Sequence, residues 1–198
     1  MAEAYIAGIE VRAAQGRPVN HVASVASFFV SRIDAMVDPM LDKIIAQGGG
    51  DADLAKKMRG EVAIASAKIA YQVYKEIFYS DRFKKLSEQG VLAQRVLWAS
   101  TATKDPGFSD VKYIEALIGP DTVNTVPVET LDAYRNHGKP EPRLEQDIER
   151  AGWVLERLPE LNISIDNVTQ RLEDEGVEKF NKPFDKLMET LTQRSARD

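Results

Sequence analysis

Three short apolar segments rich in β-branched and aromatic residues stand out from a sequence that otherwise has helical periodicity. Turn-forming residues flank each of them, which predicts strands at residues 22–30, 95–100 and 122–126. Between the second and third, an apolar pattern with helical spacing begins near Ser109 and stops at Gly119-Pro120. Strand, helix and strand in this order form a βαβ unit, so the sequence predicts parallel strands and an α/β fold.

The remaining segments are predicted to be helical. Apolar residues at three- and four-residue steps predict one long helix over residues 53–79, preceded by a flexible joint at Gly48-Gly49-Gly50. After Pro127 the pattern indicates helices only, at residues 128–136, 143–157, 164–175 and 177–192. Three strands do not close a barrel, which takes eight. The chain therefore has either a small sheet or only part of a barrel.

Composition excludes several classes of protein. The 198 residues, 43% of them hydrophobic, suffice for one core, and no apolar run or signal pattern indicates a membrane segment or export, so we expect a cytoplasmic protein. The net charge is -5 with dispersed basic residues, which argues against nucleic-acid and membrane partners. Cysteine is absent, and His21 and His137 lack further ligands at metal spacing, so we expect neither a metal site nor thiol chemistry.

Polar residues cluster where each predicted strand ends, at the edge of parallel α/β sheets where ligands bind. Cations among hydroxyl groups favour a phosphate ligand, because arginine offers paired donors and lysine a point charge. The clusters comprise Ser27, Ser31, Arg32 and Asp34; Ser100, Thr101, Thr103 and Lys104; and Asn124 and Thr125.

Each candidate has a simpler interpretation. The simpler interpretation of Arg32 is an ion pair with Asp34 or with a helix on the surface of the fold. Lys104 lies in a turn, where an exposed lysine is usually only solvated. Ser100 and Thr101 have no nearby base in the sequence, so nucleophilic catalysis by either is not indicated. The residue pattern alone leaves the phosphate-binding and structural interpretations of Arg32 open.

Four ordered motifs resemble one family and together extend over nearly the whole chain. Residues 22–34 (VASVASFFVSRID), 94–106 (QRVLWASTATKDP) and 119–131 (GPDTVNTVPVETL) resemble the sixth, seventh and eighth strand motifs of the long bacterial transaldolases. Residues 174–180 (DEGVEKF) resemble the final helix of that family. The resemblance implies that residues 1–198 are the carboxyl-terminal portion of a single barrel domain. The resemblance implies that this portion is a partial TIM (β/α)8 barrel, comprising strands six to eight with their helices and the C-terminal helices.

The resemblance also implies a transferase of the pentose phosphate pathway. Transaldolases transfer a dihydroxyacetone unit from fructose 6-phosphate to erythrose 4-phosphate through a Schiff base on a lysine, without a cofactor. The family's lysine segment, Ile-Lys-Ile-Pro, belongs to the fourth strand and has no match here. We therefore expect no catalytic residue in this chain and no activity from the chain alone. The alternative is a non-catalytic half-barrel that binds a sugar phosphate or a protein partner.

Ser27 and Arg32 match the family's phosphate-binding serine and arginine, and Ser100 aligns with a hydroxyl residue near the same phosphate. Lys104 follows where some transaldolases have an arginine, which leaves its role open. The expected partners are a sugar-phosphate substrate and either the missing amino-terminal half-barrel or another copy of the chain. Association is expected because three barrel strands leave two open edges.

Overall fold

Three strands form a single parallel sheet in the computed structural model, which describes residues 1–195. They are β1 (Val25–Phe29), β2 (Arg95–Ala99) and β3 (Thr122–Asn124), in the spatial order β1-β2-β3. The register places Ser27 opposite Leu97, and Leu97 opposite Val123. The prediction of three parallel strands is confirmed, with each strand shorter than the segment predicted for it.

Helices make up most of the rest of the described chain, which confirms the mixed α/β class. A short 3₁₀ turn is formed by Leu158–Leu161. The helices are α1 (Ala2–Ala14), α2 (Ser31–Gln47), α3 (Gly50–Met58), α4 (Val62–Phe78), α5 (Asp81–Ser87), α6 (Lys112–Ala116), α7 (Val128–His137), α8 (Ile148–Arg157) and α9 (Ile165–Ser195). Within residues 1–195, no helix has the length and apolar character needed to cross a membrane.

The two faces of the sheet differ in burial. Val96 and Trp98 of β2 are buried in the main hydrophobic core, and the Phe28 ring meets the Trp98 ring edge-on at 5.8 Å between centroids. Residues of β1 that point the other way remain exposed, including Val25 at 40% and Phe29 at 44%. Side chains alternate along a strand, so these two sets belong to opposite faces. One face is therefore covered and the other is open along β1.

The predicted helix over residues 53–79 is wrong as a single element, because the chain breaks between α3 and α4. Gly60 has φ +73, and a Cβ atom there would lie 2.4 Å from the Phe108 ring. Its N–H donates to Asp38 Oδ1 at 2.8 Å, and the N–H of Ala63 donates to Asp34 Oδ1 at 2.7 Å. Carboxylates of α2 thus bind the start of α4, a contact between distant segments that helical periodicity does not reveal.

The helical predictions nearer the C-terminus also need correction. The predicted helices at 164–175 and 177–192 are one helix, α9, which continues through Gly176 because glycine weakens a helix without ending it. Helix α8 begins at Ile148 rather than at 143, since the N–H groups of Arg143 and Leu144 both donate to the Ile118 carbonyl. The helix predicted from Ser109 shortens to α6, and α5 was not predicted.

Candidate functional site

The carboxyl ends of the three strands lie side by side, as the sequence predicts. Beyond the strands, the N–H groups of Val30 and Ser31 donate to the carbonyls of Ala99 and Ser100, both at 2.9 Å. The N–H of Thr125 donates to the Trp98 carbonyl at 3.0 Å. These bonds extend the ladder into the polar clusters and bring them to one edge of the sheet.

Hydroxyl groups connect the three strand ends. The Oγ atoms of Ser31 and Ser100 lie 3.0 Å apart, and Thr101 Oγ1 donates to Asn124 Oδ1 at 2.8 Å. Ser100 has φ +57, a left-handed conformation that is uncommon for a residue with a side chain. The chain therefore turns sharply as it leaves β2, and the Ser100 hydroxyl meets the residue that precedes Arg32.

Ser27 and Arg32 line the same cavity, which has a volume of about 540 Å³. It lies between the end of β1, the first turn of α2 and the middle of α9. The Arg32 guanidinium carbon is 4.6 Å from the centre of the Phe29 ring. The guanidinium therefore makes a cation–π contact with this ring. The structure thus brings together two of the four predicted phosphate-binding residues.

Arg32 occupies an electrostatically unusual position. It lies in the first turn of α2, a helix of 17 residues, where the macrodipole disfavours a cation and favours an anion. Among residues 1–195, no carboxylate oxygen comes within 4 Å of its guanidinium nitrogens. An anion in this cavity would compensate both the Arg32 charge and the helix dipole.

The ion pair between Arg32 and Asp34 is not formed. Asp34 is 2% exposed and turns toward the helix layer, where it accepts hydrogen bonds from the Ala63 N–H and from Tyr113 Oη at 2.8 Å. Its cationic neighbour is Lys112, with Nζ 3.6 Å from Oδ2. The structural interpretation of Arg32 as a partner of Asp34 is therefore wrong.

Lys104 lines a different cavity, of about 250 Å³, behind the first turns of α2. Four carboxylates share that cavity with it: Asp34, Asp38, Asp42 and Asp105. Lys104 is exposed, and a phosphate placed between it and these carboxylates would meet like charge. Within residues 1–195, no group of acidic or histidine side chains has the arrangement of a metal site. The structure thus does not bring Lys104 into the cavity of Arg32.

The acidic groups around Lys104 belong to a network that the sequence analysis missed. Arg59 donates to Asp42 on α2 at 2.6 Å and to Asp105, in the loop after β2, at 2.7 Å. Hydrogen bonds to these two carboxylates raise the pKa of Arg59 further above its ordinary value, which keeps the guanidinium charged. One available signal was the four-residue spacing of Asp34, Asp38 and Asp42, which places three carboxylates along one stripe of α2.

Asp38 is the member of this network whose protonation responds to pH near neutrality. Burial raises the pKa of Asp38 to about 6, although the hydrogen bond from the Gly60 N–H opposes the shift. The nearby Asp34 carboxylate raises the pKa further, whereas Arg59 and Lys112 lower it. Because the pKa in the folded chain exceeds the ordinary value of 3.8, the folded state binds more protons than the unfolded state between these two pH values.

We expect Asp38→Asn to stabilise the protein at pH 8 and to have little effect at pH 4. In the wild type, the free energy of unfolding should fall as pH rises from about 4 to about 6 and stay lower above that range. The variant removes the ionisation but keeps an oxygen to accept from Gly60, so it should gain about 1 to 3 kcal/mol at pH 8. Urea denaturation at both pH values measures this, with the exposed Asp51→Asn as the matched control. An equal change at both pH values would contradict the role of ionisation.

Comparisons with known proteins identify the family to which the chain belongs. Residues 2–191 match the family model described as Transaldolase/Fructose-6-phosphate aldolase. A transaldolase of Trichodesmium erythraeum (strain IMS101) is 49% identical over 195 residues, which cover 96% of this chain and 51% of that protein. Transaldolase 2 of Nostoc sp. (strain PCC 7120) is 48% identical over 193 residues, covering 95% and 51% respectively.

The chain spans about half the length of the curated relatives it matches. The match nevertheless extends through all three strands and through most of α9. The family model matches residues 2–191, and the two relatives are 49% and 48% identical to this chain. Proteins that share only a fold need not have such similar sequences. The chain belongs to the transaldolase/fructose-6-phosphate aldolase family.

Proposed function

We propose that this chain forms the carboxyl-terminal half of a transaldolase barrel, with β1, β2 and β3 as strands six, seven and eight. The order of the four motifs supports this position in the barrel, and the match covers about half of the length of the relatives. A parallel three-stranded sheet with helices on one face is the arrangement that such a part of a (β/α)8 barrel would have. In an intact barrel the open face along β1 would point toward the interior.

The reaction of the assembled barrel is then the transfer of a dihydroxyacetone unit from fructose 6-phosphate to erythrose 4-phosphate. The Schiff-base lysine belongs to the part of the barrel outside this chain, and no cofactor takes part. This chain contributes binding of the sugar phosphate rather than the covalent step. Relatives named transaldolase and a family description that includes fructose-6-phosphate aldolase support a sugar-phosphate substrate.

The observation that carries the proposal is the shared cavity of Ser27 and Arg32. The guanidinium of Arg32 offers two parallel N–H donors to phosphate oxygens. Ser27 lies on the exposed face of β1 and lines the same cavity. The N-terminus of α2 adds favourable electrostatic potential for an anion. Ser100 supports this edge through its contact with Ser31, whereas Lys104 lines a separate cavity and takes no part in the proposed site.

The isolated chain should show no transaldolase activity and no covalent adduct after incubation with fructose 6-phosphate and borohydride. A Schiff base needs an uncharged amine next to the substrate, and the proposed site contains no lysine. Burial lowers the pKa of Lys68, which favours an uncharged amine. Its Nζ, however, donates to the Gln146 carbonyl at 2.6 Å, and Lys68 does not line the proposed site. Mass spectrometry of the reduced protein makes the measurement.

The matching positive control is the barrel completed with the complementary half of a transaldolase, co-expressed as a second polypeptide. There, borohydride should trap a three-carbon adduct on a lysine of the added half. A trapped adduct on any lysine of the present chain would refute the assignment of the covalent step to the other half. Restored activity together with an unmodified present chain is the expected outcome.

A further inference from the structure

The last part of α9 lies outside the core. Helix α9 has 31 residues, which at 1.5 Å per residue corresponds to a length of about 46 Å. Its first turns pack against the core through Val168, which is buried, and Leu172, which is partly buried. From residue 177 to residue 192 every side chain is exposed. About half of the helix therefore has no supporting surface within the described chain.

This exposed half carries a continuous apolar stripe. The spacing along it is three, four, three and four residues, with one adjoining methionine, and this is the spacing of a seam that packs against another helix or a groove. The exposed fractions of these side chains range from 47% to 75%. The stripe consists of Val177, Phe180, Phe184, Leu187, Met188 and Leu191.

The opposite face of the same segment is strongly polar. Lys182 and Glu178 form an ion pair at 2.5 Å, and Lys179 pairs with Glu175 at 3.4 Å. The segment is therefore amphipathic even though no apolar surface covers it in the described structure. Large apolar side chains in a contiguous stripe normally mark an interaction surface, whereas single exposed ones do not.

The stripe is continuous with the open side of the sheet. Val177 and Phe180 line the same 540 Å³ cavity as Ser27 and Phe29 of β1. Within residues 1–195, β1 is an outer strand of the sheet, so one side of its backbone is available for pairing. The near end of the stripe and β1 therefore border the same cavity, so that one partner of sufficient size can cover the stripe and pair with the β1 edge.

We propose that the apolar stripe of α9 and the outer edge of β1 form one docking surface for the half of a transaldolase barrel that this chain does not match. The inference rests on the proposed function and adds the residues through which the two halves associate. A partner that brings strands satisfies the β1 edge and covers the stripe together. A second copy joined through α9 would cover the stripe but leave the β1 edge and the exposed Phe29 unpaired.

The test uses the complementary half of the Trichodesmium erythraeum transaldolase, co-expressed with this whole chain and carrying the only affinity tag. The tag should capture this chain, and size-exclusion chromatography and sedimentation of the purified complex over a dilution series should give a one-to-one complex and its Kd. Phe184→Glu/Leu187→Glu should weaken it by roughly 100-fold or more, because two anchors at the seam become charged. Glutamate favours helix formation and both positions are already exposed, so circular dichroism should show the variant folded.

The control is Lys182→Gln/Lys186→Gln, on the opposite face of the same turns. It lowers the net charge by the same two units as the stripe variant and should leave the affinity unchanged within about threefold. Arg32→Ala should likewise leave assembly intact, so that loss of phosphate recognition and loss of docking are separate results. A complex without activity would refute the proposed function and leave the docking surface standing.

Three outcomes would overturn the proposal. The first is a complex that the stripe variant forms as tightly as the wild type. The second is a homodimer through α9 that the complementary half does not displace. The third is the absence of any complex between two halves that are each shown to be folded.

Without its partner, the chain should form heterogeneous oligomers through its open edges, and the complementary half should convert them to the one-to-one complex.

Discussion

Replacing Arg32 with alanine in the assembled enzyme is expected to lower kcat/KM for fructose 6-phosphate by roughly 10- to 150-fold. The physical reason is that a hydrogen bond to a charged group contributes about 1.5 to 3 kcal/mol, and the substrate phosphate would lose its guanidinium partner. Arg32 has no competing carboxylate within 4 Å in the described chain, so its donors are available to a ligand. Steady-state kinetics of the complex with both substrates varied gives the value.

The control for Arg32→Ala is a second substrate that lacks the phosphate, rather than a second variant. Unphosphorylated fructose should react with the same low efficiency in the wild type and the variant, because the lost contact is with the phosphate. Arg32→Lys should recover part of the loss, since lysine keeps the charge but not the paired geometry. Equal losses on fructose and fructose 6-phosphate, together with a lower Tm, would show that Arg32 serves the fold through its contact with Phe29.

Asp34→Ala is expected to reduce the free energy of unfolding by about 3 to 5 kcal/mol, the range for removing one member of a buried charged network. The carboxylate accepts from the Ala63 N–H at 2.7 Å and from Tyr113 Oη at 2.8 Å, and Lys112 is 3.6 Å away. Alanine would leave all three groups without this partner in the core. For a chain of this size the loss corresponds to a fall in Tm of roughly 6 to 20 °C.

Asp34→Asn separates the hydrogen bonds from the charge. Asparagine keeps one acceptor oxygen for the Ala63 N–H, so it should cost clearly less than alanine in urea or thermal denaturation. The exposed Asp51→Asn again provides a baseline for the loss of a carboxylate outside the network. A loss below about 1 kcal/mol for Asp34→Ala would show that water or other groups satisfy these donors.

The sheet was predictable because its signals are local. Apolar β-branched and aromatic residues between turn residues specify a strand wherever it lies, and a helix between two such segments implies parallel pairing. The same logic placed Ser27 and Arg32 at one edge, since strand ends of a parallel sheet meet there. The bounds of the strands were less predictable, because pairing with neighbours decides where a strand ends.

The break between α3 and α4 was not predictable from periodicity. Apolar spacing continues through Gly60, and what interrupts the helix is the bonding of its N–H to Asp38 on another helix. The contact of Asp34 with α4, and not with Arg32, is of the same kind. Spacing in the sequence indicates which residues share a face of a helix. A buried carboxylate accepts hydrogen bonds from whichever donors the packing of other segments brings near it.

From local patterns alone, the amino-acid sequence established the mixed α/β class, the three parallel strands and the polar edge with Ser27 and Arg32. Tertiary packing decided which polar groups share a cavity, and it placed Lys104 among carboxylates rather than beside Arg32. It also left the apolar stripe of α9 uncovered within the described residues. The physical reason is that propensity and periodicity act over a few neighbouring residues, while burial and charge pairing depend on contacts between segments far apart in the chain.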